Sequence, residues 1–197
     1  MTSKNKPANS ARQKGATLIE ALVSILVLSL GLLGMAALQL NALSFQKSSV
    51  ATNRIAELTG DISEKIRANP TAAKDGDYAY TATYSTAKSA TMTSNLCRTS
   101  GVDCTTAQIA NDDIRAWLMK SQTALPSGAA RLEGDVTSGF SVTVMYQDKD
   151  FINIATGAPQ ASTSCTSATS GIAWRNCCPA AASVPDGVRC YRSNLIP

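Results

Sequence analysis

Lys14-Gly15-Ala16-Thr17-Leu18-Ile19-Glu20 leads without a break into Ala21-Leu-Val-Ser-Ile-Leu-Val-Leu-Ser-Leu-Gly-Leu-Leu-Gly-Met-Ala-Ala-Leu38. From Ala21 to Gln46 no residue is charged, a run of 26, and its centre is apolar on every helical face. A membrane-spanning helix needs about 20 such residues to cross roughly 30 Å of hydrocarbon. A cleavable secretory signal has an apolar core of only about 7–15 residues and a small-residue cleavage site beyond it, and neither fits this run. Four basic residues (Lys4, Lys6, Arg12, Lys14) precede it with no acidic residue among them. The positive-inside rule therefore keeps the N-terminus cytoplasmic and sends the rest of the chain outward. The alternative, a buried helix of a soluble core, accounts for neither the length nor the one-sided charge.

Glu20 stands out against this background. A carboxylate at the start of an apolar span costs a few kcal/mol unless it is paired or reaches the headgroups, so it is a functional candidate by default. Snorkelling to the interface is the plainer alternative.

Outward from the span, composition excludes several functions. The 197 residues contain no His, which removes His-based acid–base catalysis, Cys–His nucleophiles and His-containing zinc sites. Beyond the first 15 residues, 14 basic and 14 acidic side chains cancel. That balance argues against nucleic-acid binding through a broad basic face. Ala, Ser and Thr supply 72 residues while aromatics are 5%, so the core is expected to be small.

The helical pattern continues past the span. Ala51, Ile55, Leu58, Ile62 and Ile66 recur at three- and four-residue steps, and Asp61 and Lys65 form a favourable i,i+4 pair. Asn69-Pro70 predicts the helix end, because the residue before proline is pushed out of the α region. Gly31 and Gly34 read equally as close-packing positions, points of local unwinding or tolerated glycines. Residues 71–95 read as a loop with at most one edge strand. Thr105-Thr-Ala-Gln108 has capping-box spacing ahead of a stripe of Ala110, Ile114, Trp117, Leu118, Ser121 and Leu125. Ala130, Leu132 and Val136, then Phe140, Val142, Val144 and Tyr146, alternate around Ser138-Gly139 and predict an antiparallel hairpin. Residues 155–170 read as a Ser/Thr/Ala loop, and Gly187-Val-Arg-Cys-Tyr-Arg192 as a short final strand.

Lys14-Gly15-Ala16-Thr17-Leu18-Ile19-Glu20, with its basic leader and apolar helix, resembles the class III signal of type IV prepilins and pseudopilins. The resemblance implies cleavage by prepilin peptidase between Gly15 and Ala16 and N-methylation of Ala16, where the family most often has Phe. It makes Glu20 the fifth mature residue, whose carboxylate pairs with a neighbouring subunit's N-terminal amine during assembly. The head pattern of a Cys pair, Thr-Thr-Ala-Gln, Asp113-Ile-Arg-Ala-Trp117, Leu125-Pro126-x-Gly128 and Phe140-Ser-Val-Thr-Val144 is similar to the PilV-type minor pilins, with Tyr146 where a second Trp is usual. The implied fold is α+β and type IV pilin-like, a long N-terminal helix packed on a small antiparallel-sheet head with an extra helix and disulfides. Residues 1–15 would be the cleaved leader, 16–69 the helix with a membrane-embedded first half, and 70–197 the head. The implied function is a minor pilin in pilus assembly or initiation, resident in the inner membrane and then at the cell surface. Its expected partners are other minor and major pilins, prepilin peptidase and the inner membrane. A type II secretion pseudopilin shares leader and helix, and a membrane-anchored periplasmic binding module is a reading of a different class.

All six cysteines (Cys97, Cys104, Cys165, Cys177, Cys178, Cys190) fall in the exported part, where an even number implies disulfides. Cys97 and Cys104 close a local loop before the capped helix and are paired on that ground. A bridge between adjacent Cys177 and Cys178 would be strained, so Cys165 and Cys190 take one each, in an order the sequence leaves open. Asp75/Asp77 and Asp148/Asp150 read as turns rather than a Ca²⁺ site, which needs 6–8 oxygens. No nucleophile–base arrangement is visible. No enzyme, cofactor or metal is expected.

Overall fold

The computed structural model describes residues 17–97, 99 and 101–196. Helix α1 runs from Leu18 to Ala68. The chain divides within it into two compact units, 1–48 and 49–197. In the first unit every described residue is exposed, among them Leu22, Val23, Ile25, Leu26, Leu32 and Leu33. This helix is long and apolar enough to cross a bilayer. Gly31 and Gly34 lie within it with open space around them.

In the second unit α1 is one-sided, burying Ile55, Leu58, Ile62 and Ile66. These residues share a core with Ala110, Ile114, Trp117 and Leu118 of α4 (Thr106–Ala124) and with one face of a three-stranded sheet. The sheet is antiparallel in the order β1 (Ala129–Asp135), β2 (Gly139–Gln147), β3 (Val188–Leu195). Its register sets Leu132 against Val142 and Phe140 against Leu195, so alternate side chains of all three strands meet the helices. Trp117 Nε1–H donates to the Leu58 carbonyl oxygen (2.9 Å), and Lys120 pairs with Glu57 (2.9 Å), joining α4 to α1.

Several local expectations are corrected. Residues 71–95 are not merely a loop, since α2 (Pro70–Asp75) and α3 (Tyr84–Ala87) lie there. Asn69 is the reason for the first. Its side chain accepts from the Ala72 N–H, Pro70 opens the first turn, and Gly76 closes the helix in a left-handed conformation (φ 83°). The expected edge strand is a single antiparallel bridge in which Tyr80 and Leu132 exchange two 2.8 Å hydrogen bonds. Val136 is not in a strand but in the β1–β2 turn, where Asp135 Oδ1 accepts from the Thr137 and Ser138 N–H groups (2.8 and 2.7 Å). The strands also do not alternate strictly between buried and exposed. Ala129, Thr143 and Met145 are buried as well, because a second core of Met145, Val188, Ala182, Cys178 and Cys190 covers the far face. The final strand extends beyond Arg192 to Leu195, and residues 155–187 include helix α5 (Gly171–Asn176) and a 3₁₀ turn at Ala180–Ala182.

Candidate functional site

Two regions carry the residues singled out by the sequence, the exposed apolar part of α1 and the cystine loops of the head. Gly15 and Ala16 lie outside the described residues. Glu20 sits in the first turn of α1, where its N–H donates to the Thr17 carbonyl (3.0 Å) and its own carbonyl accepts from Ser24 Oγ (2.7 Å). Its side chain is exposed and has no ion-pair partner among the described residues. An acidic group in the first turn suits the positive end of a helix dipole, so its position also favours the helix that carries it.

The head holds three disulfides, Cys97–Cys104, Cys165–Cys177 and Cys178–Cys190, with Cα separations of 5.6, 5.0 and 5.2 Å. Adjacent Cys177 and Cys178 thus serve different bridges, and the order left open by the sequence is decided by β3. Cys190 faces the second core beside Cys178, while Cys177 is directed to the half-buried Cys165.

The loop before α4 is anchored by a residue that sequence reasoning passed over. Asp112 flanks the apolar stripe of α4, and its carboxylate accepts from the N–H groups of Asn95 (2.7 Å) and Cys97 (3.0 Å). Burial pushes its carboxyl up, but those two backbone bonds, the Asn95 amide and the Arg115 charge outweigh it and hold it below the usual carboxylate range. Behind the capping box, in which Thr105 Oγ1 accepts from the Gln108 N–H and Gln108 Oε1 from the Thr105 N–H, this acid fixes the first cystine loop to the helix.

In the sequence Asp113 belongs only to a packing pattern, whereas the structure gives it a buried partner. The Tyr78 hydroxyl, on a fully buried ring, donates to Asp113 Oδ2 (2.9 Å) and also lies 3.0 Å from the Lys65 carbonyl oxygen. Burial first, then the bond to Asp113 and its charge, push the Tyr78 hydroxyl well above its ordinary range, so it remains a donor at any physiological pH. Lys65 Nζ reaches the Asp113 carbonyl (3.4 Å) and Asp61 (3.3 Å). Two acids at adjacent positions beside an apolar stripe were the available signal, since a solvated helix face would not bury them.

The acidic pairs occupy turns. Asp75 and Asp77 flank the Gly76 cap, and Asp148 accepts from the Asp150 N–H (2.9 Å) while pairing with Arg189 (2.6 Å). Arg189 stacks on Phe151 at 4.4 Å. On the far face of the sheet, the buried Arg131 donates to the Thr81 and Ala82 carbonyls and pairs with Glu133 (2.7 Å), tying the segment before α3 to β1.

With this geometry in view, two family models match the chain. The prokaryotic N-terminal methylation motif covers residues 10–36, which contain Gly15, Ala16, Glu20 and the first part of the apolar helix. Type IV pilin Tt1218 covers residues 37–115, from the apolar helix through the first cystine loop into α4. No curated protein and no solved structure matches the chain. The two matches adjoin, and together they span the exposed apolar helix, its buried continuation and the start of the α4 packing layer. The methylation motif lies on the exposed apolar helix and the type IV pilin match continues from it into α4, so residues 10–115 of this chain are similar to the type IV pilins.

Proposed function

We propose that this protein is a minor pilin of a type IV pilus, of the PilV kind, acting in pilus assembly or initiation and through it in twitching motility and attachment. The observation that supports this reading most is α1 itself. Residues 17–50 expose apolar side chains on every face, and residues 55–66 of the same helix hold the core of the head. An apolar helix with every face exposed needs lipid or other apolar helices around it, and a filament of like subunits supplies the second after the membrane supplies the first.

In this mechanism prepilin peptidase removes residues 1–15 and Ala16 becomes the methylated N-terminus. Residues 16–69 are the assembly segment that carries α1, and 70–197 the head displayed first in the periplasm and then at the cell surface. Glu20 lies four residues along the chain from the new amine. An unpaired carboxylate in apolar surroundings is costly, and a neighbouring subunit's N-terminal amine relieves that cost at one axial register. Other minor and major pilins are thus the partners of the apolar half. The protein's role is structural rather than catalytic.

Mass spectrometry of membrane-extracted protein tests the processing step. The expected product begins at methylated Ala16, and Gly15→Leu should accumulate as full-length precursor. Retention of residues 1–15 in the unaltered protein would refute the reading. A strain lacking the protein should show fewer surface pili and reduced twitching. Normal piliation with failed protein secretion would instead assign the chain to a secretion pseudopilus.

A further inference from the structure

The three disulfides of the head occupy three different electrostatic settings. Cys97–Cys104 lies beside the Asp112 carboxylate, which accepts from the Cys97 N–H, and a negative neighbour disfavours a second negative charge on sulfur. Cys178–Cys190 is buried in the apolar core with Met145, Val188 and Ala182, where a thiolate would be desolvated without compensation. Cys165–Cys177 faces a cation. Arg192 Nη1 lies 3.2 Å from Cys165 Sγ and 3.8 Å from Cys177 Sγ.

That guanidinium is held in place. It stacks on the Trp174 ring at 4.4 Å, and its Nη2 donates to Ser141 Oγ (3.1 Å) across the β2–β3 ladder. Its Nε is buried with no hydrogen-bond partner. Glu133 is the acid whose charge acts on it, and Glu133 already pairs with Arg131 (2.7 Å). The cation beside the bridge is therefore incompletely compensated. Access is asymmetric too, because Cys165 is half-buried whereas Cys177 is 0% exposed.

We propose that Cys165–Cys177 is a redox-labile clamp, opened by thiol attack on Cys165 Sγ while the Cys177 thiolate leaves against the Arg192 guanidinium. The attacking thiolate, from a small thiol or a periplasmic dithiol protein, forms a mixed disulfide with Cys165. The Cys165–Cys177 bond breaks and its electron pair goes to Cys177 Sγ. A second thiol releases Cys165 as a thiolate and carries the oxidising equivalents away as its own disulfide. Reclosure runs the same steps backwards. The guanidinium attracts the incoming thiolate and stabilises the leaving one, and both effects speed exchange. The opened segment is 166–176, with α5 and Trp174, while Cys178–Cys190 keeps the chain tied to β3 at its edge.

The test uses full-length protein in detergent, exposed to graded reduced glutathione, quenched with acid, alkylated and peptide-mapped. Cys165 and Cys177 should be labelled before the other four cysteines, with glutathione trapped on Cys165 rather than Cys177. Trp174 emission should shift as the clamp opens. Arg192→Gln should slow opening roughly tenfold relative to Cys97–Cys104 in the same molecule, and Arg192→Lys should restore most of the rate. If another bridge opens first in the unaltered protein, or if Arg192→Gln opens at the unaltered rate, the proposal is wrong. Should Arg192→Gln fail to fold, the labelling order and the site of the mixed disulfide in the unaltered protein decide the matter.

Discussion

Replacing Tyr78 with Phe removes one oxygen from the head and almost nothing else. The ring is fully buried among α1, α4 and the sheet, so the substitution leaves no cavity of side-chain size. What disappears is a donor 2.9 Å from Asp113 Oδ2 and 3.0 Å from the Lys65 carbonyl. A hydrogen bond to a charged acceptor contributes about 1.5–3 kcal/mol. The Lys65 carbonyl lies in the last turn of α1, where carbonyls lack helical partners, so its loss adds to that figure rather than offsetting it. Tyr78→Phe should thus destabilise the head by about 2–3 kcal/mol. For a domain of this size that lowers the melting temperature by about 4–12 °C. Near-UV circular dichroism of the full-length protein in detergent reads head unfolding apart from the apolar helix. Asp113→Asn and the double substitution complete a cycle, with an expected coupling of about 1–2 kcal/mol. A Tyr78→Phe protein melting within about 1 °C of the unaltered one would refute the claim that this bond locks α4 to the end of α1.

Glu20→Ala should insert into the membrane and be cleaved as before, yet enter filaments poorly; wild-type piliation in a strain with no other copy would rule out charge pairing. Asp112 is held below its unfolded value near 3.9, so its contribution is present at neutral pH and fades as pH falls through the lowered value. Asp112→Asn should therefore cost about 1–2 kcal/mol at pH 7, and melts repeated towards pH 3 should show the gap closing. A Cβ at Gly134 (φ 104°) would lie 2.1 Å from the Gly139 carbonyl oxygen, whereas one at Gly157 (φ 69°) meets nothing within 4 Å. Gly134→Ala should cost roughly 2 kcal/mol or more and Gly157→Ala about 1, and equal melting temperatures would contradict the close approach.

Much of the architecture was legible because it is written in local periodicity. The uncharged run, the 3,4-spaced stripe ending at Ile66, the Thr105–Gln108 box and the alternation around Ser138-Gly139 each specify an element through contacts between near neighbours. The methylation motif is legible for the same reason, since a peptidase reads a contiguous segment. The short helices α2 and α3 are not legible because composition in 71–95 is dominated by small residues with no apolar period, and the Asn69 side chain that caps α2 through the nearby Ala72 N–H is held by a distant contact. Its amide also donates to the Thr106 carbonyl (2.8 Å), a contact 37 residues away.

The sequence by itself determined the long uncharged apolar helix and the presence of disulfides, and it carries the expectations of a membrane span, an inward N-terminus and a role for Glu20, because each depends on residue type and order along the chain. Only the tertiary structure decided that Cys177 turns to Cys165 and Cys178 to Cys190, that Asp112 and Asp113 are buried anchors, and that Arg192 stands beside one bridge. Adjacent cysteines are equivalent in sequence, and they separate only when β3 places Cys190 on the covered face of the sheet and Arg192 two residues further along the same face.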